Sequence, residues 1–319
     1  MHTLQGRDTF VLSPVDRGDE YYHMRVNRNI GWITAQEQEL LRGSVVAIAG
    51  TGGMGGLVAE AMVRLGVGEI RIADPESFDL SNMNRQIAAR KETIGHSKAL
   101  ATAQMLRDIT DDYKLVVYPQ GILPETVEAF VQGADVIVDE IEFWNIGSCI
   151  ELHQAARIHH VPILNCLTAG FATYLHLFTP ESMPVESMLG ISKDEAHALE
   201  QRVLDGSISA LNRKRLMQIA MDCFLPNLPQ YYAGVMGKAR NAFILERLER
   251  EAVASIVATN PLTAAGIIAN QTLLHLLREQ NVSVRNIAPL PVSPGYMLFD
   301  SAYCTATTIL KRNVSGVSP

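Results

Sequence analysis

The sequence predicts an α/β fold in which helices cover both faces of a doubly wound, mostly parallel sheet. An uninterrupted apolar run at Val45–Ala49 leads directly into a glycine-rich stretch, as expected for a strand buried on both faces of a parallel sheet. Strand and helix patterns then alternate to about residue 180, which is typical of doubly wound, Rossmann-like sheets. A chain of 319 residues, 47% of them hydrophobic, is long and apolar enough to bury such a sheet.

The elements of this sheet follow one another in a regular order. Thr34, with Glu37 three residues later, forms a capping-box pattern and predicts a short helix before the first strand. Short apolar runs predict strands at 45–49, 70–73, 115–118, 136–138 and 162–165. Apolar stripes at helical spacing predict helices at 55–65, 97–109, 124–132 and 144–158. We therefore assign residues 34–180 to a Rossmann-like core.

Three further regions flank this core. Residues 1–27 are polar and irregular, and we assign 1–33 to an N-terminal arm. Prolines between charged helical segments mark 181–250 as a helical insertion or lid that could bind a substrate, with helices at 193–204, 211–222 and 242–251. Residues 251–319 are expected to complete the same domain with an apolar helix at 262–277 and short strands at 284–288 and 296–299.

Composition and charge exclude several classes of protein. The chain carries 27 basic and 34 acidic residues, a net charge of −7, so it has no basic excess with which to bind a nucleic-acid backbone. The uncharged stretches at 161–180 and 252–277 are interrupted by proline, amide and histidine side chains, which indicates buried elements rather than membrane spans. The N-terminus lacks the pattern of a signal peptide, so we expect a cytoplasmic protein.

The cysteines predict neither a disulfide framework nor a zinc site. The four of them, Cys149, Cys166, Cys223 and Cys304, are far apart, and no two form a C-x-x-C pair. A four-cysteine zinc site would need all of them to converge from distant elements. We therefore expect no bound zinc.

The glycine-rich stretch carries a phosphate-binding pattern. Gly50, Gly52 and Gly55 form G-x-G-x-x-G, with Gly53 inside it, after a predicted strand and at the start of a predicted helix. Glycines there allow a tight turn and let backbone N–H groups and the helix N-terminus approach a phosphate. Asp74 ends the next strand, where an acid meets the ribose hydroxyls of a nucleotide. The pattern predicts a nucleotide site.

Charged and amide side chains downstream favour ATP over a nicotinamide dinucleotide. Asn82, Arg85 and Gln86 follow the second strand, and Lys98 begins the next helix. Hydride transfer has little use for two cations near the phosphates, whereas attack on the α-phosphate of ATP builds negative charge that fixed cations stabilise. Arg85 can bind a phosphate through two N–H groups, and Lys98 acts as a point charge.

Together these motifs resemble the adenylating domain of the ThiF, MoeB and ubiquitin-activating-enzyme superfamily. The resemblance runs in order from residue 25 to about residue 180, roughly half of the chain, and implies that the core is an adenylation domain. The matching segments are 25–30 with R-Y-x-R-Q, 50–55 with G-x-G-G-x-G, 74–86 with D-x-D-x-V-x-x-S-N-L-N-R-Q, and 95–98 with G-x-x-K.

The resemblance also implies a role for each matched residue around the nucleotide. Asp74 would hold the ribose of ATP. Asn82, Arg85, Gln86 and Lys98 would surround its phosphates.

Further roles implied by the resemblance concern the second subunit, the metal and a thiol. Arg28 would reach in trans into the nucleotide site of the other subunit of a homodimer. The family's T-D-N motif falls on 141–143, where Glu142 keeps a carboxylate for Mg²⁺ and Asp139 is the fallback ligand. Cys223, in the insertion, is the candidate catalytic thiol, and a small buried side chain is the alternative interpretation.

The expected function is ATP-dependent adenylation of a carboxylate on a peptide or small protein, with release of pyrophosphate. Because the cysteine pairs of MoeB-like members are missing, the sequence is more similar to the family's peptide-tailoring branch, which modifies ribosomally made precursors such as those of microcin C or pantocin. Three alternatives stay open: an activator of a ubiquitin-like or sulfur-carrier protein that uses Cys223, a nicotinamide-dependent oxidoreductase, and an inactive regulatory subunit of an activating enzyme.

Overall fold

A mixed nine-stranded sheet forms the centre of the computed structural model, which describes residues 8–226, 229, 242–244, 246–248, 250–251, 253–279 and 288–310. The strand order is β1-β4-β3-β2-β5-β6-β7-β8-β9. The five strands from β4 to β6 are parallel, and antiparallel strands extend the sheet at both edges. The strands are β1 (Phe10–Leu12), β2 (Val45–Ala49), β3 (Glu69–Ala73), β4 (Lys114–Tyr118), β5 (Val136–Asp139), β6 (Ile163–Ala169), β7 (Ala172–Phe178), β8 (Tyr296–Asp300) and β9 (Thr305–Ile309).

Helices cover both faces of the sheet, as the doubly wound pattern predicts. One apolar core lies between the sheet and α2, α3, α4 and α10, and a second lies between the sheet and α5 to α9. The helices are α1 (Asp19–Val26), α2 (Ala35–Gly43), α3 (Gly55–Leu65), α4 (Lys98–Ile109), α5 (Val127–Val131), α6 (Ile146–Ile158), α7 (Val185–Leu189), α8 (Lys193–Leu204), α9 (Ala210–Phe224) and α10 (Thr259–Glu279). The predicted α/β fold is confirmed.

Local sequence signals explain where several elements begin. The Thr34 hydroxyl accepts a hydrogen bond from Glu37 N at 3.1 Å, and the Glu37 carboxylate accepts one from Thr34 N at 2.6 Å, so the predicted capping box starts α2. Gly66, with a φ of 92°, ends α3 in the left-handed conformation that favours glycine. These two signals bracket β2 and the loop that follows it.

The N-terminal arm is more ordered than its composition predicts. Residues 10–12 form β1, which pairs antiparallel with β4 and places Phe10 opposite Val117. Residues 19–26 form α1, whose Tyr22 side chain is buried and donates its hydroxyl to the carbonyl oxygen of Gly66 at 2.9 Å. A three-residue strand is too short to show an alternating pattern, so the expectation of an irregular segment at 1–27 was wrong for β1 and α1.

Other boundaries differ more modestly from the predicted ones. The helix expected at 124–132 is limited to Val127–Val131, and the helix expected from residue 144 begins at Ile146. The strand expected at 162–165 continues to Ala169, because it pairs with β7 along its whole length. Residues 284–287 of the expected strand at 284–288 lie outside the described residues.

The apolar stretch near residue 262 forms α10, which packs against α3 and β6. Ala264 and Ile268 are fully buried there. In the part of the chain that the structure describes, no helix combines the length and apolarity needed to cross a bilayer. The uncharged sequence of α10 is thus mostly accounted for by packing inside its own subunit.

Candidate active site

The carboxyl ends of β2, β3 and β5 form the edge of the sheet that carries the site. β2 pairs with β3 on one side and with β5 on the other. The chain therefore moves outward from β2 to β3 and β4, then returns across the sheet to β5. In doubly wound sheets, ligands bind at this reversal of strand order, outside the carboxyl ends of the strands. The loops that meet there are 50–54, 74–79 and 140–145.

The glycines of the loop after β2 are required by close backbone contacts. Gly50 has a φ of 95°, and a Cβ atom on it would lie 2.3 Å from the carbonyl oxygen of Glu140. A Cβ atom on Gly55 would lie 1.9 Å from the carbonyl oxygen of Gly50. These contacts hold the loop tightly against β5 and place the N-terminus of α3 at the edge of the sheet, as a phosphate-binding loop requires.

The carboxylate of Asp74 fastens this loop to the end of β3. One oxygen, Oδ2, accepts hydrogen bonds from Thr51 N at 2.8 Å and from the Thr51 hydroxyl at 3.0 Å. The other, Oδ1, accepts one from Glu76 N at 2.9 Å, and Asp74 is 4% exposed. Burial raises the pKa of Asp74, against the opposing effects of Lys98 and of these backbone donors. In this structure Asp74 therefore positions the loop instead of presenting a free carboxylate.

Lys98 is the buried cation of the site. Its side chain is 5% exposed, and its Nζ atom lies 2.5 Å from Oε2 of Glu76. Burial disfavours the charged ammonium, but the carboxylates of Asp74, Glu76 and Glu142 together outweigh that effect and raise the pKa of Lys98. Lys98 is consequently charged at neutral pH and fixed beside the loop.

Glu142 lies at the mouth of the cleft, where its side chain reaches solvent. The surrounding protein atoms still remove part of its hydration, and this effect, with the nearby carboxylates of Glu76 and Asp74, raises its pKa. Lys98 and Arg85 oppose the shift. Three carboxylates and two cations thus share one cleft, an arrangement suited to a polyphosphate together with a divalent cation.

Arg85 is half-buried and donates to neutral oxygens. Its guanidinium forms hydrogen bonds of 3.0 Å to Asn84 Oδ1 and 3.3 Å to the carbonyl oxygen of Ser81. Among the described residues no carboxylate forms an ion pair with Arg85. Its charge therefore remains available to an anionic ligand.

The two amide side chains of this segment have different surroundings. Gln86 is 5% exposed and packs on the loop, where a Cβ atom on Gly52 would lie 3.8 Å from its Nε2 atom. Within the described ranges its Oε1 atom has no hydrogen-bond partner. Asn82 instead folds back on Asp79, accepting from Asp79 N and donating to Oδ2 of Asp79, each at 3.2 Å. Gln86 thus faces the loop, whereas Asn82 shapes the turn that carries Arg85.

Three predicted site residues lie away from this cleft. Arg28 is exposed on a short turn after α1, and none of the residues that the structure describes pairs with it. Cys223 is 1% exposed on the buried side of α9, so this structure does not present it to a substrate. The side chain of Asp139 points to α6, where it contacts His153, and it is 1% exposed. Its proposed use as a fallback Mg²⁺ ligand in the cleft is therefore wrong for this arrangement.

Sequence analysis also missed residues that the structure brings to the site. Glu76 follows Asp74 by two positions and supplies the carboxylate that faces Lys98, and this D-x-E spacing was the available signal. Glu140 is packed under Gly50, and burial, followed by the neighbouring Asp139 carboxylate, raises its pKa well above the ordinary value. No local sequence pattern marks Glu140, because its placement depends on the contact between two loops.

Comparisons with known proteins agree with this geometry. The chain is 31% identical over 159 residues to the sulfur carrier protein ThiS adenylyltransferase of Escherichia coli K12, an alignment that covers 49% of this chain and 62% of the relative. It is 30% identical over 148 residues to the tRNA threonylcarbamoyladenosine dehydratase of Bacillus subtilis 168, covering 46% of this chain and 58% of the relative. The chain thus spans about 60% of the length of these curated relatives.

Solved structures resemble a larger part of the chain. The selenomethionine crystal structure of PaaA superposes with a TM-score of 0.61 at 16% identity, covering 93% of this chain and 86% of that one. Escherichia coli MccB with MccA-N7isoASN superposes with a TM-score of 0.60 at 15% identity, covering 93% of this chain and 74% of that one. At these identities the likeness establishes the fold. The profile of the ThiF family matches residues 26–307, and the chain therefore belongs to the ThiF family.

Proposed function

We propose that the chain binds Mg-ATP in the cleft and adenylates a carboxylate on a peptide or small protein. The observation that carries the proposal is the placement of two cations beside a glycine loop at the switch point of the sheet. They are the buried Lys98 and the half-buried Arg85, which forms no ion pair with a carboxylate among the described residues. A nucleotide triphosphate supplies the negative charge that these cations require. The names of the relatives, which include adenylyltransferases, support the same chemistry.

Asp74 and Glu76 have separate roles in this proposal, whereas the sequence analysis assigned ribose binding to Asp74 alone. Asp74 holds Thr51 and so fixes the loop that receives the phosphates. The carboxylate of Glu76 is 44% exposed in the cleft, so it is placed to accept hydrogen bonds from the ribose hydroxyls. In that arrangement Lys98, paired with Glu76, lies between the ribose and the α-phosphate.

The residues in the cleft fit a magnesium ion. Mg²⁺ prefers carboxylate oxygens, water and substrate phosphates as ligands. Glu142 offers a carboxylate at the mouth of the cleft, and its pKa is raised first by loss of hydration and then by Glu76 and Asp74. A divalent cation would relieve the repulsion among these groups. Glu142 would hold the ion with Glu76 nearby, and the ion would supply neutralisation of phosphate charge.

The adenylation step is one substitution at phosphorus. A carboxylate oxygen of the substrate forms a bond to the α-phosphorus of ATP, the bond from that phosphorus to the bridging oxygen breaks, and pyrophosphate leaves with the electron pair. Lys98 and Arg85 stabilise the charge that grows on the phosphoryl oxygens. The acyl-adenylate then accepts a nucleophile, and AMP leaves.

The helical insertion is the proposed substrate-binding part. The two curated relatives match only about half of this chain, whereas the fold of MccB, solved with MccA-N7isoASN, is similar over 93% of it. Helices α7 to α9 pack on the same sheet face as α6. The loop that carries Glu142 leads directly into α6. A peptide substrate, as in peptide tailoring, is the first candidate. A sulfur-carrier protein is the second, favoured by the ThiS adenylyltransferase relative.

We further propose a homodimer in which Arg28 acts in trans. The apolar side chains of α10 are mostly buried within its own subunit and therefore give little support for subunit pairing. The segment around Arg28 offers a better surface, because Met24, Ile30 and Trp32 are 71%, 46% and 96% exposed. These side chains are close together along the chain, and a second copy that brings Arg28 to the neighbouring site would cover them.

Calorimetry with Mg-ATP and with NADH separates the nucleotide classes. The account predicts binding of Mg-ATP, weakened in Arg85→Ala, and no binding of NADH. Tight NADH binding without ATP binding would establish an oxidoreductase.

Exchange of labelled pyrophosphate into ATP then tests adenylation. The carboxylate substrates are synthetic peptides with a free carboxylate and the sulfur carrier protein ThiS, which the relative's name identifies as its substrate. Exchange with a peptide supports the first candidate, and exchange with the carrier alone supports the second. Mg-ATP binding without exchange for either substrate would contradict the proposed activity on peptides and carriers.

A further inference from the structure

A buried group of side chains on the other face of β5 plays no part in the reaction above. It consists of Asp139, Cys149 and His153, called the Asp139 cluster here. Oδ2 of Asp139 lies 3.0 Å from Nε2 of His153 and 3.7 Å from Sγ of Cys149, and the three atoms all lie within 4.8 Å of one another. Cys149 and His153 are four residues apart on α6, so both point from one face of that helix toward the end of β5.

The charge of this cluster is not balanced by a basic side chain. Asp139 is 1% exposed, and Cys149 and His153 are each 7% exposed. Within the described ranges Asp139 forms no ion pair with a lysine or an arginine, and His153 is its one basic neighbour. A buried carboxylate is costly unless a positive charge accompanies it. A bound cation would supply that charge and use the three side chains as ligands.

The donor set selects the kind of cation. Thiolate and imidazole favour zinc over magnesium, and a zinc ion takes Cys, His and Asp ligands at about 2.0–2.3 Å. A tetrahedral arrangement of such bonds places neighbouring ligand atoms about 3.3–3.6 Å apart. The distances from Oδ2 of Asp139 to Nε2 of His153, 3.0 Å, and to Sγ of Cys149, 3.7 Å, bracket that spacing. Zn²⁺ with one thiolate, one carboxylate and one neutral imidazole is electrically neutral.

A fourth ligand position has a candidate acceptor beside it. Asn165 is 3% exposed, and its Nδ2 atom lies 3.4 Å from Oδ2 of Asp139. Its Oδ1 atom has no hydrogen-bond partner in the part of the chain that the structure describes, which is costly for a buried acceptor. A water molecule on the metal would donate to that oxygen. His153 also lines a small, partly open cavity of about 10 Å³, which has room for about one water molecule.

We propose that Asp139, Cys149 and His153 bind one Zn²⁺ ion and so tie the end of β5 to α6. Binding releases the thiol proton of Cys149 to solvent and leaves the proton of a neutral His153 on Nδ1, so that Nε2 can coordinate. The ion would also steady the neighbouring Glu142 loop, because Oδ1 of Asp139 accepts from Ile141 N at 3.0 Å. The expectation of no zinc rested on the spacing of the cysteines, which does not reveal that Asp139 and Cys149 lie beside His153 in the fold.

Elemental analysis and cobalt substitution test this site. Purified protein should carry about one zinc per chain, and the chelator-treated protein should bind Co²⁺ with a thiolate-to-cobalt charge-transfer band. Cobalt at the oxygen ligands of the nucleotide cleft cannot give that band, so the two sites are distinguishable without any activity measurement. The absence of the band in folded wild-type protein would overturn the proposal.

Two variants and one control variant assign the ligands. Cys149→Ser should abolish the band, whereas Cys304→Ser should keep it, because Cys304 is exposed and lies outside the cluster. His153→Gln should weaken Co²⁺ binding by more than about 100-fold, beyond the usual effect of changing a residue that only supports a ligand. A band that survives in Cys149→Ser would show that the thiolate comes from elsewhere and would refute the assigned ligand set.

Discussion

Replacing Lys98 with methionine removes one positive charge and keeps a side chain of similar length. The side chain of Lys98 is 5% exposed and is held 2.5 Å from Glu76, so it is already oriented before ATP binds. One preorganised group of this kind contributes about 10²–10³ to the chemical step, about 2.7–4 kcal/mol. We therefore expect Lys98→Met to lower kcat for pyrophosphate exchange by that factor, with a smaller change in the Kd for Mg-ATP.

The same change should cost only moderate stability. Glu76 is 44% exposed and can regain water when its partner is lost, and Asp74 keeps its hydrogen bonds from Thr51. The free energy of unfolding should therefore fall by about 1–3 kcal/mol. This is less than the loss of about 3–5 kcal/mol expected when a fully buried ion pair is broken. Circular dichroism and thermal unfolding would verify that the variant is folded at the assay temperature.

Lys114→Met is the matched control. Lys114 is 43% exposed and pairs with Glu69 at 3.0 Å, but it lies at the amino end of β4, opposite the cleft. Lys114→Met loses the same charge, but Lys114 lies at the end of its strand away from the cleft. Its kcat should therefore stay within about twofold of wild type, since preorganised charge acts on the reaction only at the site where charge develops. If folded Lys98→Met, with Mg-ATP bound, retained exchange as fast as Lys114→Met, the placement of Lys98 at the α-phosphate would be refuted.

Three further predictions concern the loop, acid stability and the shared site. Gly55→Ala should destabilise the protein by about 1–3 kcal/mol or more and weaken ATP binding, because its Cβ would lie 1.9 Å from a carbonyl oxygen. The control Gly43→Ala, in open space on α2, should be neutral or stabilising by up to about 1 kcal/mol. Equal unfolding midpoints of the two variants in denaturant would contradict this prediction. Burial acts to raise the pKa of Glu69, but Arg71 and Lys114 outweigh that effect and hold the pKa below the ordinary 4.5. The ionised Glu69 carboxylate therefore stabilises the fold above pH 4.5, and this stabilisation is lost as the pH falls through the lower pKa of the folded state. The difference in Tm between wild type and Glu69→Gln should accordingly shrink in acid, and a constant difference would show that the carboxylate is not the cause. Mixing Arg28→Ala with Lys98→Met should restore about a quarter of wild-type activity, since half of randomly paired dimers are mixed and each mixed dimer has one intact site; no recovery despite proven subunit exchange would mean that Arg28 does not act in trans.

The core of the fold could be predicted because its signals are local. Apolar runs and helical stripes located the parallel strands, and the Thr34–Glu37 pair fixed the start of α2. The edge strand β1 could not be found in this way, because its three residues are defined by pairing with β4 and carry no pattern of their own. The family profile over 26–307 and the nine-stranded sheet of the described residues agree with the predicted class.

The candidate site was predictable as a set of residues but not as a set of contacts. Motif spacing identified Asp74 and Lys98 as site residues. Only the structure shows that the Asp74 carboxylate accepts hydrogen bonds from Thr51 and that Glu76 is the acid paired with Lys98. Alternation along β5 sends Asp139 toward α6, away from the cleft, and burial decides the position of Cys223. These positions depend on contacts between residues far apart in the chain, and the spacing of residues within a motif does not predict such contacts.

The most direct test of adenylation follows an oxygen atom of the substrate. A peptide labelled with ¹⁸O in its carboxylate would be incubated with the protein, Mg-ATP and the nucleophile that completes the reaction, and the nucleotide product would be examined by mass spectrometry. Because the carboxylate oxygen bonds to the α-phosphorus and stays there when AMP leaves, the account predicts AMP carrying one ¹⁸O atom, together with unlabelled pyrophosphate. Formation of ADP, with the label in inorganic phosphate, would place the attack at the γ-phosphorus and contradict the account.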